Sequence, residues 1–394
     1  MVCSATGTAA GENSVSSSFE LQVARLFDGD TWHSNVALSV EQGRVTGIRP
    51  CESNSVIQAS LVPGFIDIQV NGGGGVLLNT EPTTATLRTM LQAHARFGTT
   101  AMLPTVITDS LATMQRAADA VAAAMAAGEP GIIGIHFEGP HLSVPKRGVH
   151  PASQIRPLSA QELAIYQRQD LGIRMVTVAP ETIPPEQIRQ LADADVIVFL
   201  GHSNADAATV QAALAAGATG FTHLYNAMSP LTSREPGMVG VALADRDSWC
   251  GIILDGHHMD PIAARVALAA KPSRKVLLVT DAMSPVGTPD TEFAFFDGKV
   301  TRQGNKLTNQ TGSLAGSVLD MAAAVQYAVQ VLGVELGEAL RMAALYPAEA
   351  IGCADVRGKL QPGYLADMVL LTDELQCQQS WWQGQPLWLG NEKN

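Results

Sequence analysis

Eight short apolar runs between residues 64 and 282 constrain this chain more than any other feature. They are GFIDIQV (64–70), TAMLPTVI (100–107), GIIGIHFE (131–138), GIRMVTVA (172–179), VIVFLGH (196–202), TGFTHLYN (219–226), GIILDG (251–256) and KVLLVTDA (275–282). Stretches of helical texture, such as ATLRTMLQAHARFG and SLATMQRAADAVAAAMAAG, lie between most of them. Strands that are apolar along their whole length are buried on both faces, which means a parallel sheet covered by helices. Eight repeats over roughly 290 residues predict an α/β chain with a TIM-like (β/α)8 barrel. The competing open, doubly wound sheet would usually carry fewer strands and a phosphate-binding turn early in the chain.

The flanks differ in texture. Residues 19–60 read as short strands broken by Asp-Gly and Gln-Gly turns, and residues 357–390 return to short strands. The economical architecture is a small β-sandwich domain built from both termini (19–60 plus 353–394) that clasps a barrel at 61–352. Residues 288–318 read as a hairpin-rich excursion, followed by helices over about 317–332 and 336–350. Residues 1–18, small and polar, read as a frayed terminus. They lack the charged and apolar regions of a signal peptide, which suggests a cytoplasmic protein.

Composition narrows the function classes. With 46% hydrophobic and 16% charged residues, the chain is not intrinsically disordered. Its net charge of −12 and the lack of any Lys/Arg run argue against nucleic acid as a partner. The five cysteines are scattered and form no CxxC pair, so neither a disulfide framework nor a Cys-rich zinc site is expected. No apolar run reaches the roughly 18 residues of a membrane span.

Seven of the nine histidines fall between 136 and 258. Polar residues that end barrel strands are the ones to examine, because the C-terminal face of such barrels carries the chemistry. Glu138, His202, His223 and Asp281 end the third, fifth, sixth and eighth runs. A carboxylate with two imidazoles is an open three-ligand set for a divalent metal. Such a metal would acidify a water and polarise a carbonyl. A further Asp would serve as proton shuttle. Any one of these residues alone reads more simply as a hydrogen-bonded loop residue; four together at strand ends point to a metal hydrolase. A second group (Lys146, Arg147, His150, Asn226, Arg234, His257 and His258) falls in loops at the same rim and could read an anion. Lys146 and Arg147 read more simply as solvated loop charge. NGGGGV (71–76) does not complete a GxGxxG and reads as a turn allowing close backbone approach. His33, His94 and Asp67 read as structural.

Together PGFIDIQVNG, HFEGPHLSVPKRGVHP, LGHSNA, TGFTHLYNAMSPLTSREPG, LDGHHMD, VTDAMSPVG and GSLAGS resemble the N-acetylglucosamine-6-phosphate deacetylases of the amidohydrolase superfamily. The resemblance runs from about 20 to 390. It implies Glu138, His202 and His223 as metal ligands and Asp281 as general base and then general acid. It also implies His150, Asn226, Ala227, Arg234 and His258 as residues that hold the sugar and its phosphate. Some phosphate contacts in this family come from a neighbouring subunit, which implies a homodimer. Where many amidohydrolases have HxH on the first strand, this chain has Gln69 and Asn71, which are poor ligands. One metal per subunit follows, zinc first and ferrous iron second. The implied reaction turns N-acetyl-D-glucosamine 6-phosphate into glucosamine 6-phosphate and acetate, in amino-sugar catabolism and cell-wall sugar recycling.

Other readings remain open at this point. The same ligand set could serve N-acetylgalactosamine 6-phosphate or an N-acyl amino acid. A non-catalytic barrel would typically lack one of the four residues. A Schiff-base aldolase would need a Lys ending a barrel strand, and none of the eight runs ends in Lys.

Overall fold

The computed structural model describes residues 18–51, 56–271, 274–296 and 298–390. Residues 1–17, nearly all of the expected frayed terminus, lie outside the described residues.

The eight apolar runs form one eight-stranded parallel sheet in chain order: Phe65–Val70, Thr99–Ile107, Gly134–Glu138, Ile173–Val178, Ile197–Leu200, Gly220–Phe221, Trp249–Ile252 and Val276–Leu278. The first and last strands close the ring through Asp281 N–H to Gln69 O and Asn71 N–H to Ala282 O, both 2.9 Å. Every residue of the first three strands is buried, as near-continuous apolar sequence requires. Phe65, Phe137, Phe199 and Phe221 are at most 1% exposed and belong to the main hydrophobic core. Each contributes about 1.5–3 kcal/mol by leaving water.

Short polar caps start the covering helices. Thr83, Ser110 and Asp206 accept from the backbone amides of Thr86, Thr113 and Thr209, satisfying a donor the helix cannot. The sixth strand is much shorter than its run. Gly220 admits no side chain there, since a Cβ would lie 2.5 Å from the Phe199 ring. After Phe221 the chain leaves the strand, and His223, Tyr225 and Ala227 take positive φ. One expected helix also differs. The span 336–350 is two helices, Leu336–Ala343 and Leu345–Ala350, broken at Ala344. Pro347 explains the break: a proline inside a continuous helix would remove a hydrogen bond and clash with the preceding turn, whereas the break places it in a first turn.

Strands from both ends of the chain join in a separate seven-stranded sheet: Ser18–Phe27, Trp32–Glu41, Arg44–Pro50, Ile57–Pro63, Met368–Leu371, Cys377–Trp382 and Gln385–Leu389. Its two wings share a core in which Leu26, Leu38 and Leu61 meet Leu360, Met368 and Trp381. The excursion after the eighth strand is a three-stranded antiparallel sheet, Glu292–Phe295, Gly298–Gln303 and Lys306–Asn309. No helix among the described residues is long and apolar enough to cross a membrane.

Candidate metal and catalytic site

The C-terminal strand ends surround a cavity of about 170 Å³. Glu138, His150, His202, His223, Asn226, Ala227, His258 and Asp281 all line it. These residues come from the third, fifth, sixth, seventh and eighth strand ends and their loops, so only the closed barrel brings them together. His202, His223 and Asp281 have φ of 48°, 36° and 51°. Left-handed backbone is costly for such residues and persists only where the surroundings impose it, typically at functional sites.

Glu138 Oε1 is the focus of the site. His202 Nε2 lies 3.2 Å from it and His223 Nε2 lies 3.1 Å from it. The two Nε2 atoms are 3.0 Å apart. All three residues are buried, and among the described residues they are the group of His, Cys, Asp and Glu arranged to hold a metal ion. Two imidazole nitrogens and a carboxylate oxygen at mutual distances near 3 Å are crowded as a hydrogen-bonded trio. The spacing suits the corners around a four-coordinate cation with bonds of ~2.0–2.1 Å. His202 Nδ1 donates to Lys146 O at 2.9 Å, which leaves Nε2 bare for a ligand bond. The donor set, carboxylate plus imidazoles, therefore fits a divalent metal. Burial opposes charge on Glu138, but the His202 and His223 rings beside it outweigh that and hold the carboxyl well below its usual range.

Asp281 faces this group from the closing strand. Its Oδ1 accepts from Asn71 Nδ2 at 2.6 Å and from Gln69 Nε2 at 3.3 Å. Gln69 Nε2 also reaches Glu138 Oε1 at 3.1 Å. Burial, and then the Glu138 carboxylate nearby, push Asp281 up to about 6. Burial pushes His150 down to about 3, so its ring is neutral. His150 Nδ1 is 2.8 Å from the Thr108 hydroxyl.

Arg234 is the exception among the expected site residues. It is exposed and does not line the cavity. Its loop is pinned on itself by Thr232 and Glu235, and the Glu235 carboxylate accepts from Ala207 N. His94 is fully buried and holds Gly72 O at 2.8 Å, which fits its structural reading. Lys146 serves through its backbone carbonyl rather than its charge.

Several participants carried little signal in the sequence. Gln69 and Asn71 were set aside as poor ligands, yet they are the donors that orient both carboxylates. Met283, Phe295 and Leu314 give the cavity an apolar side. Phe295 belongs to the excursion sheet and Leu314 follows it, and apolar residues there announce no chemistry. Asp255 binds His258 Nδ1 at 2.7 Å. It stood in view in LDGHHMD but without an assigned role.

The model of the Amidohydrolase family matches residues 60–385. An N-acetylgalactosamine-6-phosphate deacetylase of Shewanella sp. (strain ANA-3) is 54% identical over 361 residues, covering 89% of this chain and 91% of that protein. Another from Escherichia coli O157:H7 is 36% identical, covering 93% and 98%. The crystal structure of an N-acetylglucosamine-6-phosphate deacetylase from Pasteurella multocida superposes with a TM-score of 0.89 at 32% identity, covering 94% of this chain and 99% of that one.

Proposed function

The chain belongs to the amidohydrolase family, and from that premise we propose that it is a metal-dependent deacetylase of N-acetylhexosamine 6-phosphates. The observation that carries the reading is the buried convergence of Glu138, His202 and His223, with Asp281 facing them across the cavity. Relatives covering nearly all of the chain are named for this chemistry on both hexosamine epimers. The relative at 54% identity is named for the galacto epimer, which favours N-acetylgalactosamine 6-phosphate as the preferred substrate. N-Acetylglucosamine 6-phosphate, the reading from sequence, is the second.

Glu138, His202 and His223 would hold the metal, zinc or ferrous iron. Bound there, a divalent cation supplies Lewis acidity toward the amide carbonyl and acidifies water. Asp281 does the proton work. Its Oδ1 is committed to Asn71 and Gln69, which leaves Oδ2 to take a proton from the attacking water. Asp281 then returns that proton to the amide nitrogen. Without it the leaving group would be an amide anion, far too basic to depart, so a general acid is required. His150 is neutral, and its Nδ1 lies 2.8 Å from the Thr108 hydroxyl; with that hydroxyl donating to Nδ1, the ring carries its proton on Nε2. That N–H would donate to the developing oxyanion. The backbone around Asn226 and Ala227, with His258, would hold the sugar phosphate. This remote binding energy would align the acetamide for attack.

Arg234 lies outside the cavity of its own chain. Its expected phosphate role therefore belongs to a homodimer in which a second copy supplies it. A cytoplasmic place in amino-sugar catabolism and recycling belongs to the same reading.

The decisive experiment follows acetate release from N-acetylgalactosamine 6-phosphate and N-acetylglucosamine 6-phosphate, with chelated protein and after return of zinc or ferrous iron. Metal-dependent release is the expected result, and the ratio of the two kcat/KM values assigns the epimer. Folded, metal-loaded protein that releases acetate from neither would overturn the reading.

A further inference from the structure

Asp255 follows the seventh barrel strand and is buried, at 7% exposure, beneath the cavity residue His258. The hydrogen bonds of its carboxylate all serve one short turn. Its Oδ1 accepts from the backbone amides of His257 and His258, both at 2.8 Å. Its Oδ2 lies 2.7 Å from His258 Nδ1. Burial opposes ionisation of this carboxyl, but the hydrogen bond from His258 and the two amides outweigh it and hold the group below its usual range. The turn is braced from outside as well. Asn305, at the tip of the excursion sheet, accepts at 2.7 Å from His257 Nε2 and donates at 3.3 Å to Asp255 O.

A ring whose Nδ1–H is taken by a carboxylate has one nitrogen left for a ligand, and its plane is fixed. If the remaining nitrogen donates to a phosphate, the ring carries both protons and its charge lies between two anions. Two charge-assisted hydrogen bonds to one imidazole hold an anion more tightly than a free histidine does, because the ring's orientation is settled before binding.

We propose that Asp255 is a positioning residue that fixes His258 as the cavity's phosphate-reading donor and so sets the preference for a phosphorylated sugar. The proposal rests on the sugar-phosphate reading above. Asp255 touches no substrate; it acts through His258.

The test compares wild type with Asp255→Asn and Asp255→Ala. Asn keeps an oxygen for the two backbone amides and removes the charge. Each form is assayed on a phosphorylated N-acetylhexosamine and on its unphosphorylated counterpart. For Asp255→Asn we expect KM for the phosphorylated sugar to rise at least tenfold while kcat changes less than threefold. The ratio of kcat/KM between the two sugars should then fall by about the same tenfold. Asp255→Ala should lose at least as much. A fall that is equal for both sugars, or one confined to kcat, would assign Asp255 to the turn alone and overturn the proposal. Inorganic phosphate binding, measured by calorimetry on the metal-loaded forms, separates this proposal from the functional one. If wild type deacetylates neither sugar phosphate, the functional reading fails. In that case weaker phosphate binding by Asp255→Asn still supports the Asp255–His258 pair, and unchanged binding overturns it.

Discussion

Asn71 Nδ2 lies 2.6 Å from Asp281 Oδ1, and the two residues stand just past the first and last barrel strands, where the ring closes. The same seam carries the backbone bonds Asp281 N–H to Gln69 O and Asn71 N–H to Ala282 O. The Asp281 carboxylate, to which we assign the proton transfer, is thus oriented by an amide that follows the neighbouring first strand. Asn71→Ala removes that donor without adding charge. We expect kcat to fall about 10- to 100-fold, with KM changed by only a few-fold, because the loss is one of alignment for proton transfer. Steady-state kinetics on the metal-loaded variant decide this, and a wild-type kcat would remove Asn71 from its role.

Asp281→Asn keeps the shape of the side chain and removes the carboxylate to which we assign the proton transfer. Turnover should drop by about 10²–10⁴-fold. Metal content, read by elemental analysis, and substrate affinity, read by calorimetry, should remain close to wild type. Wild-type-like turnover would take the proton work away from Asp281.

Glu138→Ala deletes the oxygen on which both imidazoles converge. We expect the purified variant to hold no stoichiometric metal and to regain no activity when zinc or ferrous iron is added. Wild type should lose activity on chelation and recover it on metal return. Full occupancy in the variant would contradict the ligand assignment.

Most of this site was legible because strand ends are marked by chemistry. Glu138, His202, His223 and Asp281 each interrupt an apolar run, and a parallel barrel places such interruptions around one mouth. The apolar runs located all eight strands for the same reason, since burial on both faces leaves a simple signature. What escaped was set by contacts between segments distant in sequence. Gln69 and Asn71 matter through their distances to Asp281, which no spacing along the chain encodes. Phe295 reaches the cavity only because the excursion sheet folds back over it. The sixth strand ends short where His223, Tyr225 and Ala227 turn to positive φ, and the helix break at Ala344 depends on where Pro347 can be tolerated. Arg234 was legible as a residue type, whereas its exposed position was not.

The exposed position of Arg234 leads to a prediction about assembly. If a second copy supplies Arg234, then Arg234→Ala should raise KM for the phosphorylated sugar far more than for the unphosphorylated one. Asp281→Asn and Arg234→Ala protein should also complement each other when unfolded and refolded together. A hybrid dimer would contain one site with an intact Asp281 and an intact Arg234, restoring up to about a quarter of wild-type activity after random mixing. Mixtures no more active than the sum of the two variants would place Arg234 outside the neighbouring site.

Asp67 supplies the pH dependence. It is fully buried on the first barrel strand, where Oδ1 accepts from Gln69 N at 3.2 Å and Oδ2 accepts from the Thr280 hydroxyl. Burial pushes its carboxyl up to about 7 from an ordinary 3.8. Between about pH 4 and pH 7 the folded protein therefore keeps a proton that the unfolded chain releases. A folded state that binds more protons loses stability as pH rises, so this group's contribution is fully present below about pH 4 and is lost by about pH 7. Asp67→Asn mimics the protonated side chain, whose remaining hydrogen can turn toward Thr280. The stability difference, variant minus wild type, should grow with pH across this window by an amount on the order of 2–4 kcal/mol. Denaturant unfolding of both proteins at pH 5, 6, 7 and 8 measures it. A difference that stays flat, or that shrinks with pH, would mean that Asp67 is ionised throughout.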